Sequence, residues 1–188
     1  GIAARQVYTP RWAHCDDNHA WVEVFVDGEW HFLGACEPEE VLDTGWFSGP
    51  ANRAILIHTR NFSDYVKESN EEYLGKEGAL YYFNHTDFYG RTKLVKILVK
   101  DENGKPAAGA HIAVEILNMA EFFPAAVMIA DADGEVRMTL GLGDIRVRAF
   151  DGIRRAEAMM RIEEEDSLEL VLREEAVPEA DDRWQTLE

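Results

Sequence analysis

Residues 20–33 read Ala20-Trp21-Val22-Glu23-Val24-Phe25-Val26-Asp27-Gly28-Glu29-Trp30-His31-Phe32-Leu33, and this stretch decides the first element of the fold. Val22, Val24 and Val26 alternate with Trp21, Glu23 and Phe25, the period of two that sends successive side chains to opposite faces of a strand. Asp27-Gly28 then supplies two residues that tolerate positive φ, as a type I′ turn requires, and a second aromatic-rich run follows at once. The spacing predicts a tight hairpin that pairs Val26 with Glu29 and, counted outward, His19 with Cys36.

Downstream of the hairpin the texture is irregular to Tyr89, broken at Gly45, Gly49-Pro50 and Gly75, with short helices expected at 50–58 and 64–74. From about Gly90 it changes to β-branched runs at 92–99, 111–117, 125–130, 135–140, 144–150, 154–162 and 167–173, which point to an antiparallel sandwich. Asp101-Glu102-Asn103-Gly104, Asp131-Ala132-Asp133-Gly134 and Asp151-Gly152 are turn sequences, glycine providing the left-handed backbone and Asp or Asn bonding nearby amides. The two adjacent phenylalanines Phe122 and Phe123 cannot both point inward from one strand, so one is expected to pack on the first region. The expected organisation is residues 1–90, residues 91–175 and an acidic tail at 176–188.

Composition narrows the partners. The chain has 188 residues, 46% of them hydrophobic, enough for a real core, and no run approaches the roughly 18 apolar residues of a membrane helix. Its 36 acids against 19 bases give a formal charge of −17, which repels nucleic acid backbones and anionic membrane surfaces. Neither is expected as a partner. Two cysteines, Cys15 and Cys36, are too few for a disulfide framework. The segment His14-Cys15-Asp16-Asp17-Asn18-His19 is rich in metal-type ligands but matches no standard zinc spacing, and no turn carries the ligand run of an EF-hand loop. No metal and no cofactor is expected.

In order along the chain stand Gly1-Ile2-Ala3-Ala4-Arg5, then Asn18-His19-Ala20-Trp21-Val22-Glu23-Val24, then Trp30, then Glu37-Pro38. Taken together over residues 1–60, they resemble the transglutaminase-like superfamily, whose pattern is Gly-Ile-Pro-Ala-Arg, His-Ala-Trp-Val-Glu-Val, a Trp, and an acid before Pro. The resemblance implies an α+β, papain-like partial domain dominated by antiparallel strands. It also implies a Cys-His-acid triad acting on peptide or amide bonds, in which a thiolate attacks the carbonyl, an imidazole shuttles the proton and an acid orients it. His19 matches the histidine. Glu37 stands where the family more often has Asp, and a bulge within 31–37 would bring it to the histidine's face. Trp12 and Asn18, in the loop leading to His19, are the expected substrate-binding residues.

The family's cysteine lies upstream of the Gly-Ile-Pro-Ala-Arg segment, so the nucleophile is expected from an upstream segment or a second chain, and these residues alone are expected to be inert. Residues 91–173 resemble the carboxypeptidase regulatory-like or transthyretin-like, immunoglobulin-like sandwiches, which usually bind or support rather than catalyse. The expected partner is a peptide or protein substrate, with secretion or the cell envelope expected for the parent protein. The alternative is a non-catalytic binding or scaffolding module that keeps the cleft and has lost the chemistry.

Overall fold

The computed structural model describes residues 1–62 and 71–174. Two sheets account for most of it. The first has six strands, β1 (Ala4–Thr9), β2 (His19–Val26), β3 (Glu29–Leu33), β4 (His58–Asn61), β5 (Glu72–Glu77) and β6 (Leu80–Asn84), in the order β3-β2-β1-β4-β6-β5, every pair antiparallel. The hairpin forms as its sequence dictates: Val26 pairs with Glu29 and Val22 with Leu33, and Asp27 and Gly28 both have positive φ, 54° and 92°. The β2–β3 register runs without a shift over 22–33, and the chain then bends out of the ladder. The bend is tight, since a Cβ on Gly34 would stand 2.5 Å from the Glu37 carbonyl oxygen. The chain therefore turns away at 34–37 where a bulge was expected.

The outer edge of β3 is covered by one residue. Asp43, at φ 61°, accepts from the Phe32 amide through Oδ1 at 2.9 Å and donates its own amide to the Phe32 carbonyl at 2.9 Å. Its other carboxylate oxygen lies 2.7 Å from His31 Nδ1. Part of the edge strand thus finds the partners that an open edge lacks.

The α+β, papain-like partial domain expected for residues 1–90 is absent. Strand makes up 55% and helix 5% of the described residues, an all-β architecture. The helices are single turns, α1 (Ser48–Ala51) and α2 (Thr86–Tyr89). The helix expected at 50–58 reduces to α1, because Asn52 ends it and Ile55-Leu56-Ile57 runs on into β4. Of the stretch 64–74, residues 64–70 lie outside the described residues and 72–74 open β5. The physical reason is visible in Leu80-Tyr81-Tyr82-Phe83: aromatic residues suit a pleated surface, and Gly78, at φ 58°, closes the turn that pairs them with β5.

The second sheet has seven strands, one for each β-branched run: β7 (Thr92–Asp101), β8 (His111–Asn118), β9 (Glu121–Ile129), β10 (Glu135–Gly141), β11 (Asp144–Phe150), β12 (Arg154–Arg161) and β13 (Ser167–Glu174). Two ladders, β10-β7-β13 and β12-β11-β8-β9, are joined among the described residues only where Arg154 and Arg155 pair with Glu174 and Arg173, so the strands fold over a shared core as a sandwich. One pair departs from the antiparallel expectation: β13 runs parallel to β7, Ser167 against Lys96 to Leu172 against Asp101. The chain changes ladders between β12 and β13, and the last strand arrives beside the first in the same sense. The expected acidic tail, 176–188, lies outside the described residues.

Two apolar clusters hold these sheets. The sandwich core is aliphatic: Val95, Ile97, Ile112, Val114, Met138, Leu140, Ile145 and Val147 are fully buried. The smaller cluster comprises Val7, Trp12, Trp21, Phe47, Ala51, Ala54, Ile57 and Tyr89. The connection at 55–57 serves both, Ile55 and Leu56 entering the sandwich core and Ile57 the aromatic one. Where it passes β10, the Gly141 amide donates to the Ile55 carbonyl at 2.8 Å, and a Cβ on Gly141 would fall 1.9 Å from the Ala54 carbonyl oxygen. Only glycine lets the two backbones approach so closely.

Candidate functional site

His19 begins β2, opposite Thr9 on β1, at the end of the strand farthest from the Asp27-Gly28 turn. Its half-buried imidazole is surrounded by rings. Trp21 stacks at 5.8 Å and Trp12 at 6.2 Å, both with 26° between planes; Trp46 meets it edge-on at 4.6 Å and Phe47 at 5.0 Å. Trp12, Trp21 and Phe47 are buried, whereas Trp46 is 58% exposed and forms the outer wall. The ring makes no hydrogen bond to another described residue.

Desolvation by these rings lowers the His19 pKa, and the charges of Asp17 and Glu37 raise it in part. The imidazole is therefore neutral near pH 7, with a lone pair free to take a proton. Glu37 is exposed and acts on His19 through its charge, not through a hydrogen bond. Trp12 is 2% exposed, packs against the imidazole and borders a shallow pocket with His14 and Met119. Asn18 is exposed, and its backbone amide donates to Asp17 Oδ1 at 2.8 Å. Cys15 and Cys36 are free and exposed. Among the described residues no group of three His, Cys, Asp or Glu side chains is placed to hold a metal ion.

Beneath the ring cluster lies a buried polar network built on the Arg5–Glu23 pair. Glu23, fully buried on β2, accepts from Arg5 Nε at 2.6 Å and from the Tyr89 hydroxyl at 2.5 Å, and its Oε1 lies 3.1 Å from His85 Nε2. Burial alone would raise the Glu23 pKa. The hydrogen bond and charge of His85, the Arg5 guanidinium and the Tyr89 hydroxyl outweigh it and hold the carboxyl below its usual range. Burial and the neighbouring carboxylate push the Tyr89 hydroxyl the other way, well up, so it stays a donor. Tyr89 in turn accepts from Trp21 Nε1 at 2.7 Å, and Trp21 is the ring on which His19 stacks. Arg5 also lies over the Trp30 ring at 4.1 Å. The register Arg5↔Glu23 makes this pairing possible, so Arg5, His19, Glu23 and Trp30, scattered in sequence, stand on one ribbon.

Trp46 and Asn118 complete these surroundings, with Tyr89 and Phe47, which no sequence signal marks. The loop before His19 is reached from the sandwich: Arg11 lies over the Phe123 ring at 3.8 Å, whereas Phe122 receives Arg146 of its own sheet at 3.9 Å. One of the paired phenylalanines thus meets the first region through a guanidinium.

The chain matches no protein-family model and no curated protein. Among solved structures it is similar to a streptococcal ancillary pilin, at a TM-score of 0.35 and 10% sequence identity, the match covering 92% of this chain and 62% of that one. The chain therefore spans less than two thirds of that neighbour's length.

Proposed function

We propose that these residues form the histidine-bearing part of a cysteine hydrolase that acts on peptide or amide bonds. His19 is the general base and acid, Glu37 biases its charge, and the attacking thiol comes from outside these 188 residues, on a further segment of the same polypeptide or on a second chain. The observation that carries the reading is the state of His19: a neutral imidazole without a hydrogen-bond partner among the described residues, at the rim of an aromatic shell, free to accept a proton from a thiol. The resemblance of residues 1–60 to transglutaminase-like sequences supports it. So does the placing of Arg5, His19, Glu23 and Trp30 on one β-ribbon.

In that chemistry the thiol passes its proton to the imidazole as the sulfur bonds to the carbonyl carbon. The imidazolium then returns the proton to the departing amine, and water repeats the cycle on the acyl sulfur. The aromatic shell favours the neutral imidazole before and after each transfer. A second reading, a non-catalytic peptide-binding module, is favoured by one observation: the nearest neighbours of His19 are aromatic rings, and among the described residues no carboxylate hydrogen bond orients it.

Peptide hydrolysis is to be assayed with the chain joined to, or mixed with, the segment encoded upstream of Gly1. His19→Ala is expected to lower the rate by about 100-fold or more. Equal rates for the two proteins reject the catalytic reading, and peptide binding that His19→Ala leaves intact establishes the second.

A further inference from the structure

We propose that the tip of the β8–β9 hairpin belongs to the His19 site, with Asn118 as the residue that positions the loop 11–18 against the imidazole. The proposal rests on His19 being the working residue of that site. It makes the sandwich a structural part of the site, not an appendage to it.

Asn118 ends β8 and is 4% exposed. Its side chain is spent on one loop about a hundred residues earlier in the sequence. Nδ2 donates to the Trp12 carbonyl and to the Cys15 carbonyl, each at 2.8 Å, and Oδ1 accepts from the Asp17 amide at 3.1 Å. Both amide hydrogens and a lone pair are thereby used, close to all that a buried Asn can offer. The next residue adds a bond, the Met119 amide donating to Asp16 Oδ1 at 2.7 Å. Within the loop the Trp12 amide donates to the Asp17 carbonyl at 3.0 Å.

The residue type follows from the loop's needs. An irregular loop held against a sheet leaves backbone carbonyls without strand partners, and a primary amide presents them with peptide-like donors. A carboxylate at 118 would face two carbonyl oxygens, and an aliphatic residue would leave both unbonded. The turn itself is held under strain: Met119 and Ala120 both have positive φ, 53° and 60°, without a glycine. Such a turn persists only where its surroundings fix it. The loop is part of those surroundings.

The consequence reaches the imidazole through two residues of the loop. Trp12 is the ring stacked on His19, and Asp17 is one of the charges acting on it. With the clamp gone, Trp12 is free to leave the stack and water to reach the imidazole.

The test uses the full chain and follows two quantities by NMR, the titration of the His19 ring and the exchange of the Trp12 amide. Asn118→Ala is expected to move the His19 pKa upward, towards that of an ordinary imidazole, because burial is the largest cause of its depression. Exchange at Trp12 is expected to rise by about tenfold or more. Asp16→Ala is the second variant, for the case in which Asn118→Ala does not fold. Removing an acid would by itself lower the pKa of a nearby imidazole, so a rise there reports loosening alone. Asn84→Ala is the control. Asn84 donates to the Thr139 carbonyl at another junction between the sheets, and its loss is expected to leave His19 and Trp12 unmoved.

The proposal is overturned if folded Asn118→Ala, its sandwich amides protected as in the parent, shows an unchanged His19 titration. It is equally overturned if Asn84→Ala moves His19 as far, or if Asp16→Ala leaves Trp12 exchange unaltered. None of these readouts needs a thiol or turnover, so the absence of hydrolysis leaves them standing, and an unmoved imidazole leaves the hydrolase reading to its own assay.

Discussion

The sandwich and the six-stranded sheet are both antiparallel over most of their pairs, yet their interiors are built from different materials. The sandwich core is aliphatic, and its charged residues sit mainly on the outer faces, where Glu115, though buried, is bonded by Arg146 Nε at 2.6 Å. The first sheet buries Trp12, Trp21, Phe47 and Tyr89 together with Glu23 and His58, and joins several of them by hydrogen bonds. Aliphatic packing is non-directional and tolerates alternatives of equal volume. An aromatic and polar interior is specified group by group, since an unpaired buried polar atom is costly. The sandwich should therefore respond to lost volume, and the first sheet to lost charge or to protons.

The sharpest way to break this comparison is Glu23→Ala. It leaves Arg5 and His85 without their carboxylate and the Tyr89 hydroxyl without its acceptor, and it is expected to destabilise by about 4 kcal/mol in denaturant unfolding. Met138→Ala, which empties a fully buried site in the sandwich, is expected to cost about 3 kcal/mol with little dependence on pH. Similar losses with the same pH profile for both would show the two interiors to be energetically alike.

Acid separates them next. The His58 imidazole, against Tyr8 and Tyr82, is pushed down to about 4 by burial first and by the Arg60 charge second, a backbone hydrogen bond at Thr59 opposing them. The unfolded chain, with its imidazole near 6.5, takes up a proton before the folded one does as the pH falls. This contribution is thus fully present above pH 6.5 and is lost progressively down to about pH 4, by about 3 kcal/mol in all. His58→Phe should flatten that part of the stability profile, measured as unfolding midpoints at pH 7 and pH 4.5. A parallel fall in both proteins would place the sensitivity elsewhere.

The smallest effect sharpens the comparison at the turns. Gly28, at φ 92°, has open space where a Cβ would go, so Gly28→Ala is expected to cost about 1 kcal/mol from backbone strain alone. Gly134, at φ 74°, has the Val99 carbonyl oxygen 2.4 Å from that point, so Gly134→Ala should cost more. Equal thermal shifts would mean that the sandwich turn relaxes.

The sandwich strands were legible because their signals are local. Each β-branched run became a strand, and the Asp-Gly turns fell where expected, since alternation and positive φ are properties of neighbouring residues. The middle of the chain was not legible. His58-Thr59-Arg60-Asn61 carries no apolar alternation and becomes a strand because β1 and β6 flank it on both sides. Ile55-Leu56-Ile57 is a short apolar run of the kind periodicity cannot assign, and its residues divide between two cores. Of the candidate site, sequence placed His19 at the head of a strand with Trp12 in the loop before it. It gave no sign that Phe47 and Tyr89 would surround it, or that the loop would be tied to Asn118.

By itself the sequence determined the β2–β3 hairpin, its type I′ turn, the seven runs of the sandwich and the acidic character of the whole, because chain geometry and composition need no distant partner. Tertiary structure alone decided that the first region extends as a six-stranded all-β sheet, that Glu23 is shared by Arg5, His85 and Tyr89, and that an amide at 118 fixes the loop ahead of His19. Those outcomes depend on contacts between residues tens to a hundred positions apart, and such contacts follow from complementary surfaces and unmet hydrogen bonds, which leave no period in the chain.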